Sequence, residues 1–134
     1  MMNLATAEAA ESEFYRAFAT GDLEAMLDIW ADGESVVCVH PAQETLVGRA
    51  SVAESWREIL GPASGFDIVY QCVARYESGD LAMHIGVEQL RVDDEEVASL
   101  TVTNGYRRTE CGWRMIYHQA APIHSSQGPP GPVH

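Results

Sequence analysis

Two histidines and one asparagine are the residues of this chain best suited to acid–base work. His40 closes a short apolar run, Ser35–His40, just before Pro41. A histidine there titrates near neutrality and can take up a proton as a general base. Asn104 stands in a row of alternating residues, Ala98, Leu100, Val102, Asn104 and Tyr106, that is more apolar than the opposite row Val97, Ser99, Thr101 and Thr103. The apolar row is expected to face a cavity, which makes Asn104 a hydrogen-bond donor that stays neutral at every pH. His118 lies on the last strand-like segment and is expected to share a face with Arg114, Ile116 and Ala120, where it could polarise a ligand. Trp56 reads as core or as a lid over the pocket, and Tyr106 as a ligand contact from the inward row. His84 alternates with Ala82 and Gly86, opposite the apolar row Leu81, Met83, Ile85 and Val87, and is expected to face outward or an interface. Cys38 has no basic neighbour, so an inert core thiol is expected rather than a nucleophile. The histidines lie on separate segments without HxH or HExxH spacing, so no metal site and no cofactor is expected.

The composition narrows the chemistry further. The 134 residues carry 8 Lys+Arg against 20 Asp+Glu, a net charge of −12, and no lysine at all. Schiff-base catalysis by a lysine is therefore excluded. A nucleic acid or an anionic membrane would need a basic face, and only Arg107 and Arg108 stand side by side. The three cysteines are odd in number and widely spaced, which fits free thiols in a reducing cytosol. With no long apolar run and no basic–apolar leader at the N-terminus, a cytoplasmic protein is expected.

Placing these residues is the task of the secondary structure. A helix is predicted over Thr6–Ala19 and stopped by Gly21, with Asp22 capping a second one that lines up Leu23, Met26, Leu27 and Trp30. After the Ser35–His40 strand and a short one within Glu44–Gly48, Ser51-Val52-Ala53-Glu54 fits a capping box opening a third helix, closed by Gly61-Pro62. Four strand-like segments follow, Phe66–Tyr76, Leu81–Val92, Val97–Thr109 and Trp113–Ile123, joined by turn-rich breaks that force antiparallel neighbours. Gly86 and Gly105 mark expected bends or bulges. The result is an α+β fold, a curved antiparallel sheet wrapped around three helices as a cone-like half-barrel with a pocket. One domain over residues 1–124 is expected, followed by a disordered Gly/Pro tail at 125–134. Val97, Thr101, Thr103, Met115 and Tyr117 form an outward face that suits a homodimer through the sheet.

Three segments together carry a resemblance. They are Phe14–Met26 with its Gly21-Asp22 turn, the set Val39-His40-Pro41, Gly48-Arg49 and Trp56, and Thr103–Arg108 followed by Gly112–His118 and Ala121-Pro122-Ile123. Taken over about Glu8 to His124, the chain resembles the SnoaL-like branch of the nuclear-transport-factor-two-like superfamily, although Ala121 stands where serine is common. The resemblance implies a cone-shaped barrel, with relatives that include ketosteroid isomerases, polyketide cyclases, dehydratases and the calcium/calmodulin-dependent kinase association domain. It places Asn104 where the isomerases carry a protonated aspartate, His40 near their general base, and Phe14 at their helix-one tyrosine, with Tyr15 next to it. Adjacent helix residues point about 100° apart, so Tyr15 does not simply replace that tyrosine. No aspartate occupies the base position, which argues against steroid isomerisation. Two classes of function remain: a cofactor-independent isomerase, cyclase or dehydratase acting on a small molecule, and a non-catalytic association module.

Overall fold

The computed structural model describes residues 3–61 and 66–123, so the 125–134 tail lies outside the described residues. Helix α1, Ala7–Thr20, starts where the Thr6 side chain accepts from the Ala9 amide at 3.0 Å. It ends at Gly21, whose φ of 72° is a left-handed conformation that costs glycine little. Asp22 then caps α2, Leu23–Ile29, accepting from the Ala25 amide at 3.1 Å. Strands β1, Val37–Val39, and β2, Leu46–Val47, pair antiparallel and lead into α3, Arg49–Leu60.

Helix α3 corrects one expectation. It begins at Arg49, two residues ahead of the Ser51–Glu54 box, with Gly48 at the N-cap and no side-chain cap. The backbone sets this start, because the Gly48 amide is held by the Val36 carbonyl at 2.8 Å and the Arg49 amide by the Gly33 carbonyl at 3.1 Å. The Arg49 guanidinium reaches back and donates to the carbonyls of Trp30 and Leu27, each at 2.7 Å. These are carbonyls at the end of α2 that lack a helical partner, and a cation satisfies them well.

The four long strands are β3, Asp67–Ser78, β4, Leu81–Val92, β5, Glu95–Thr109, and β6, Gly112–Pro122. They form antiparallel neighbours, as expected, in one sheet ordered β2-β1-β6-β5-β4-β3. The sheet is mixed, however, because β1 joins β6 in parallel, with Cys38 beside His118. Gly86 and Gly105 lie next to register shifts. A Cβ at Gly86 would come within 2.7 Å of the Tyr70 ring, so glycine is required there by close approach.

Two strand faces differ from the sequence reading. On β4 the inward row is Ala82, His84, Gly86 and Glu88, while Leu81 and Met83 are exposed. Alternation assigns the apolar row to the core, but here the polar row finds partners on α1, and hydrogen bonding permits its burial. His84 is therefore an interior residue. On β6 the pairing steps from Gly105–Tyr117 to Tyr106–Met115, so Ile116 is an extra residue that resets the alternation. Trp113 and Met115 face the core before the bulge, and His118 and Ala120 after it. Met115 thus leaves the outward face, and His118 does not share one with Ile116. On β5 the predicted inward row is buried at Leu100, Val102, Asn104 and Tyr106 and half-buried at Ala98. The main core, which includes Phe14, Met26, Ile29, Trp30, Val36, Trp56, Tyr106 and Met115, fills the space between helices and sheet.

Candidate functional site

Helix α1 places Phe14 and Tyr15 on neighbouring parts of the interior. Phe14 lies against His118 with ring centroids 5.1 Å apart, while Tyr15 stacks on Tyr70 at 4.1 Å. From β5, Asn104 sits directly opposite His118 on β6 in the sheet register. These neighbours form one continuous hydrogen-bonded series. His118 Nδ1 is 2.6 Å from Asn104 Oδ1, Asn104 Nδ2 donates to Tyr15 Oη at 2.9 Å, and Tyr15 donates to Glu88 Oε2 at 2.6 Å. Asn104 has no exposure, and His118 and Glu88 have 1% each.

His40 occupies the adjoining corner, with its ring centroid 5.0 Å from Trp56 and 6.4 Å from His118. Its Nε2 is 2.9 Å from Ser55 Oγ. The Ser55 hydroxyl donates to the Val52 carbonyl at 2.7 Å, so it accepts from His40 Nε2–H. Ser55 also lines a surface cleft of about 450 Å³ with Gln43, Leu46, Ser51, Glu54 and Glu58, so the His40 corner adjoins that cleft. Trp56 is fully buried among Phe14, Phe18, His40 and His118. Neither Trp56 Nε1 nor Tyr106 Oη has a hydrogen-bond partner among the described residues. Leaving such a donor unpaired costs about 1–3 kcal/mol.

Burial dominates the electrostatics. It pushes the Glu88 carboxyl up to about 7, against the pull of the Tyr15 hydroxyl. It pushes His118 down to about 3, with the charge of His40 acting in the same direction, and lowers His40 as well. Both imidazoles are therefore neutral near pH 7, and neutral imidazole can act as a base. Burial and then Glu88 raise the Cys38 thiol to about 12, which makes it a poor nucleophile.

A second buried pair lies on the same helix and strand. Glu11 Oε2 is 2.6 Å from His84 Nδ1, and Arg75 Nη2 is 3.5 Å from Glu11 Oε1. Burial raises the Glu11 carboxyl, but the bond and charge of His84, with Arg75, outweigh it and hold the group below its ordinary value.

The fold thus brings together His40, Asn104, His118, Trp56, Phe14 and Tyr15. Tyr106 adjoins His84 instead, with ring centroids 5.0 Å apart. Sequence reasoning missed Glu88 and Ser55. The available signal for Glu88 was its parity with His84: two ionisable residues four apart share one strand face.

Residues 7–124 match the SnoaL-like domain. The F-box protein SKIP8 of Arabidopsis thaliana is 26% identical over 110 residues, a match covering 82% of this chain and 46% of that protein. The chain therefore spans about half the length of that curated relative. A solved structure from Thiobacillus denitrificans, named for the calcium/calmodulin-dependent protein kinase type II association domain, is 37% identical with a TM-score of 0.86. That match covers 92% of this chain and 100% of the other. Another, from Streptomyces avermitilis and named for a dehydratase of the nuclear-transport-factor-two-like family, is 29% identical with a TM-score of 0.75. It covers 88% of this chain and 94% of the other. With the three helices, the open six-stranded sheet and a match over 7–124, this chain belongs to the SnoaL-like family of the nuclear-transport-factor-two-like superfamily.

Proposed function

We propose that the protein binds a small uncharged molecule at the His40 corner, reached from the cleft beside Ser55, and acts on it by acid–base chemistry without a cofactor, as an isomerase, cyclase or dehydratase. The observation that carries this reading is the buried series His118–Asn104–Tyr15–Glu88 beside His40. A purely structural core gains more from apolar side chains than from buried ionisable groups. The unpaired donor on Trp56 suits a carbonyl oxygen, and a neutral imidazole suits a hydroxyl or an acidic C–H. The series contains no cation, which favours uncharged hydroxy-ketones over carboxylates.

A panel of hydroxy-ketones and matched hydroxy acids tests it, read by the Trp56 indole N–H resonance and by thermal shift. A hydroxy-ketone is expected to move that resonance and raise Tm, with saturation at 100 times Kd stabilising by about 2.7 kcal/mol. Asn104→Leu is expected to abolish the response. A panel in which no compound moves the resonance overturns the reading.

The outer sheet face supports a second reading, a homodimer through the sheet as an association module. Val69, Leu81, Met83 and Val97 are exposed there, and Tyr76, Leu81, Met83, Ile116 and Tyr117 border a groove of about 390 Å³. Likeness to the Thiobacillus structure favours it. Light scattering is expected to give a dimer mass for the wild type and a monomer mass for Met83→Glu. A wild-type monomer at the highest soluble concentration removes the dimer. The free thiols of Cys38, Cys72 and Cys111 support a cytoplasmic location, and no described helix is long and apolar enough to cross a membrane.

A further inference from the structure

We propose that Glu88 is a positioning residue that fixes His118 as its Nδ1–H tautomer, acting through Tyr15 and Asn104. The proposal follows from counting protons along the series. A carboxylate can only accept, so the single proton of Tyr15 Oη is committed to Glu88 Oε2, 2.6 Å away. The hydroxyl oxygen must then act as acceptor toward Asn104, 2.9 Å away, and only the amide nitrogen can donate to it. The amide is thereby oriented with Oδ1 toward His118. A carbonyl oxygen cannot donate, so the 2.6 Å contact requires the proton on His118 Nδ1. His118 is neutral and has one ring proton, so Nε2 carries a bare lone pair.

The polarity of the whole series is set at its Glu88 end, because each other member can reverse. Tyrosine can donate to either neighbour, the amide can turn over, and imidazole can move its proton. No other described group is bonded to Tyr15 Oη. Under the reading proposed above, this makes His118 Nε2 an acceptor for a ligand proton rather than a donor. The residue that decides between those roles stands three hydrogen bonds away.

The test is nitrogen-15 NMR of the full chain at pH 8.5, where Glu88 is ionised, using long-range proton–nitrogen correlations of the ring. The signals of His118 are assigned by their loss in His118→Gln. In the wild type, Nδ1 is expected to give the protonated-type resonance and Nε2 the unprotonated type. Glu88→Gln offers a carbonyl oxygen to Tyr15 and is expected to preserve this pattern. Glu88→Leu removes the acceptor, so Tyr15 turns its proton to Asn104 Oδ1, the amide reverses, and the two nitrogen resonances are expected to exchange character. A merely structural role for Glu88 leaves the tautomer unchanged in every folded variant. A wild type protonated on Nε2, or a folded Glu88→Leu variant still protonated on Nδ1, overturns the proposal. If Glu88→Leu does not fold, Tyr15→Phe replaces it: a mixture of tautomers supports the series, and an unchanged single Nδ1–H form overturns it. No ligand is needed, so this result stands apart from the compound panel, which can fail while the tautomer assignment holds.

Discussion

Trp56→Ala is expected to lower Tm by about 10–20 °C, while Trp56→Phe lowers it by a few degrees and still loses the thermal shift given by hydroxy-ketones. Trp56 has no exposure, and the rings of Phe14, Phe18, His40 and His118 lie 5.0–6.0 Å from it. Truncating a buried tryptophan to alanine removes its transfer energy and leaves a cavity, together about 3–5 kcal/mol. In a domain of this size each kcal/mol moves Tm by roughly 3–4 °C. Phenylalanine keeps most of the packing and removes an N–H that has no partner, which offsets part of the loss. The two variants therefore separate the volume of the side chain from its donor. Scanning calorimetry and the compound panel give both readouts. An alanine variant that melts within about 3 °C of the wild type would mean the surrounding rings can close the gap, contrary to dense core packing.

Most of the frame was legible because local physics decides it. The cap at Asp22, the stop at Gly21 and the inward row of β5 all follow from nearby residues, and the fold realises each. What escaped notice was decided at a distance. Glu11 meets His84 and Tyr15 meets Glu88, each 73 residues away in sequence. Two helix positions four apart thus face two strand positions four apart. Without α1 in view, His84 reads as facing outward or an interface, and nothing singles out Glu88. The β6 faces were lost to a single bulged residue, Ile116, which alternation cannot register. The parallel pairing of β1 with β6 has no turn to announce it, yet it is what sets Cys38, two residues before His40, beside His118.

The candidate site divides along the same line. His40, Asn104 and His118 were visible as residue types capable of acid–base chemistry at the ends of apolar rows. Their roles depend on groups that nothing local in the chain pairs with them. Ser55 fixes the His40 proton on Nε2, and Asn104 fixes that of His118 on Nδ1. One imidazole is thereby oriented by helix α3 and the other by the sheet, so two chemically identical side chains carry their protons on different nitrogens.

These opposing burials give a specific pH dependence. The difference in unfolding free energy between the wild type and Glu88→Gln is expected to change by about 3 kcal/mol between pH 4.5 and pH 7. Glu88 is raised from an ordinary value of 4.5 to about 7, so between those limits the folded protein holds a proton that the unfolded chain has lost. Its contribution is complete below pH 4.5 and disappears as pH rises through 7. His118 is lowered from 6.5 to about 3, so the unfolded chain is the better proton binder across that window, and stability falls as pH drops through it. The lowered His40 acts in the same sense as His118. Between pH 4.5 and 6.5 the Glu88 slope therefore cancels one imidazole slope, each worth about 1.4 kcal/mol per pH unit. The wild type is expected to keep only the residual slope of His40 there and to lose stability more steeply below pH 4.5. Glu88→Gln removes the compensating slope, so its stability climbs through the interval more steeply than that of the wild type. Urea unfolding of both proteins at pH 4.5, 5.5, 6.5 and 7.5 measures the divergence, since groups unaffected by the substitution cancel in the difference. Parallel curves would show that Glu88 stays ionised in the folded protein down to its unfolded value, and that the Tyr15 hydroxyl outweighs its burial.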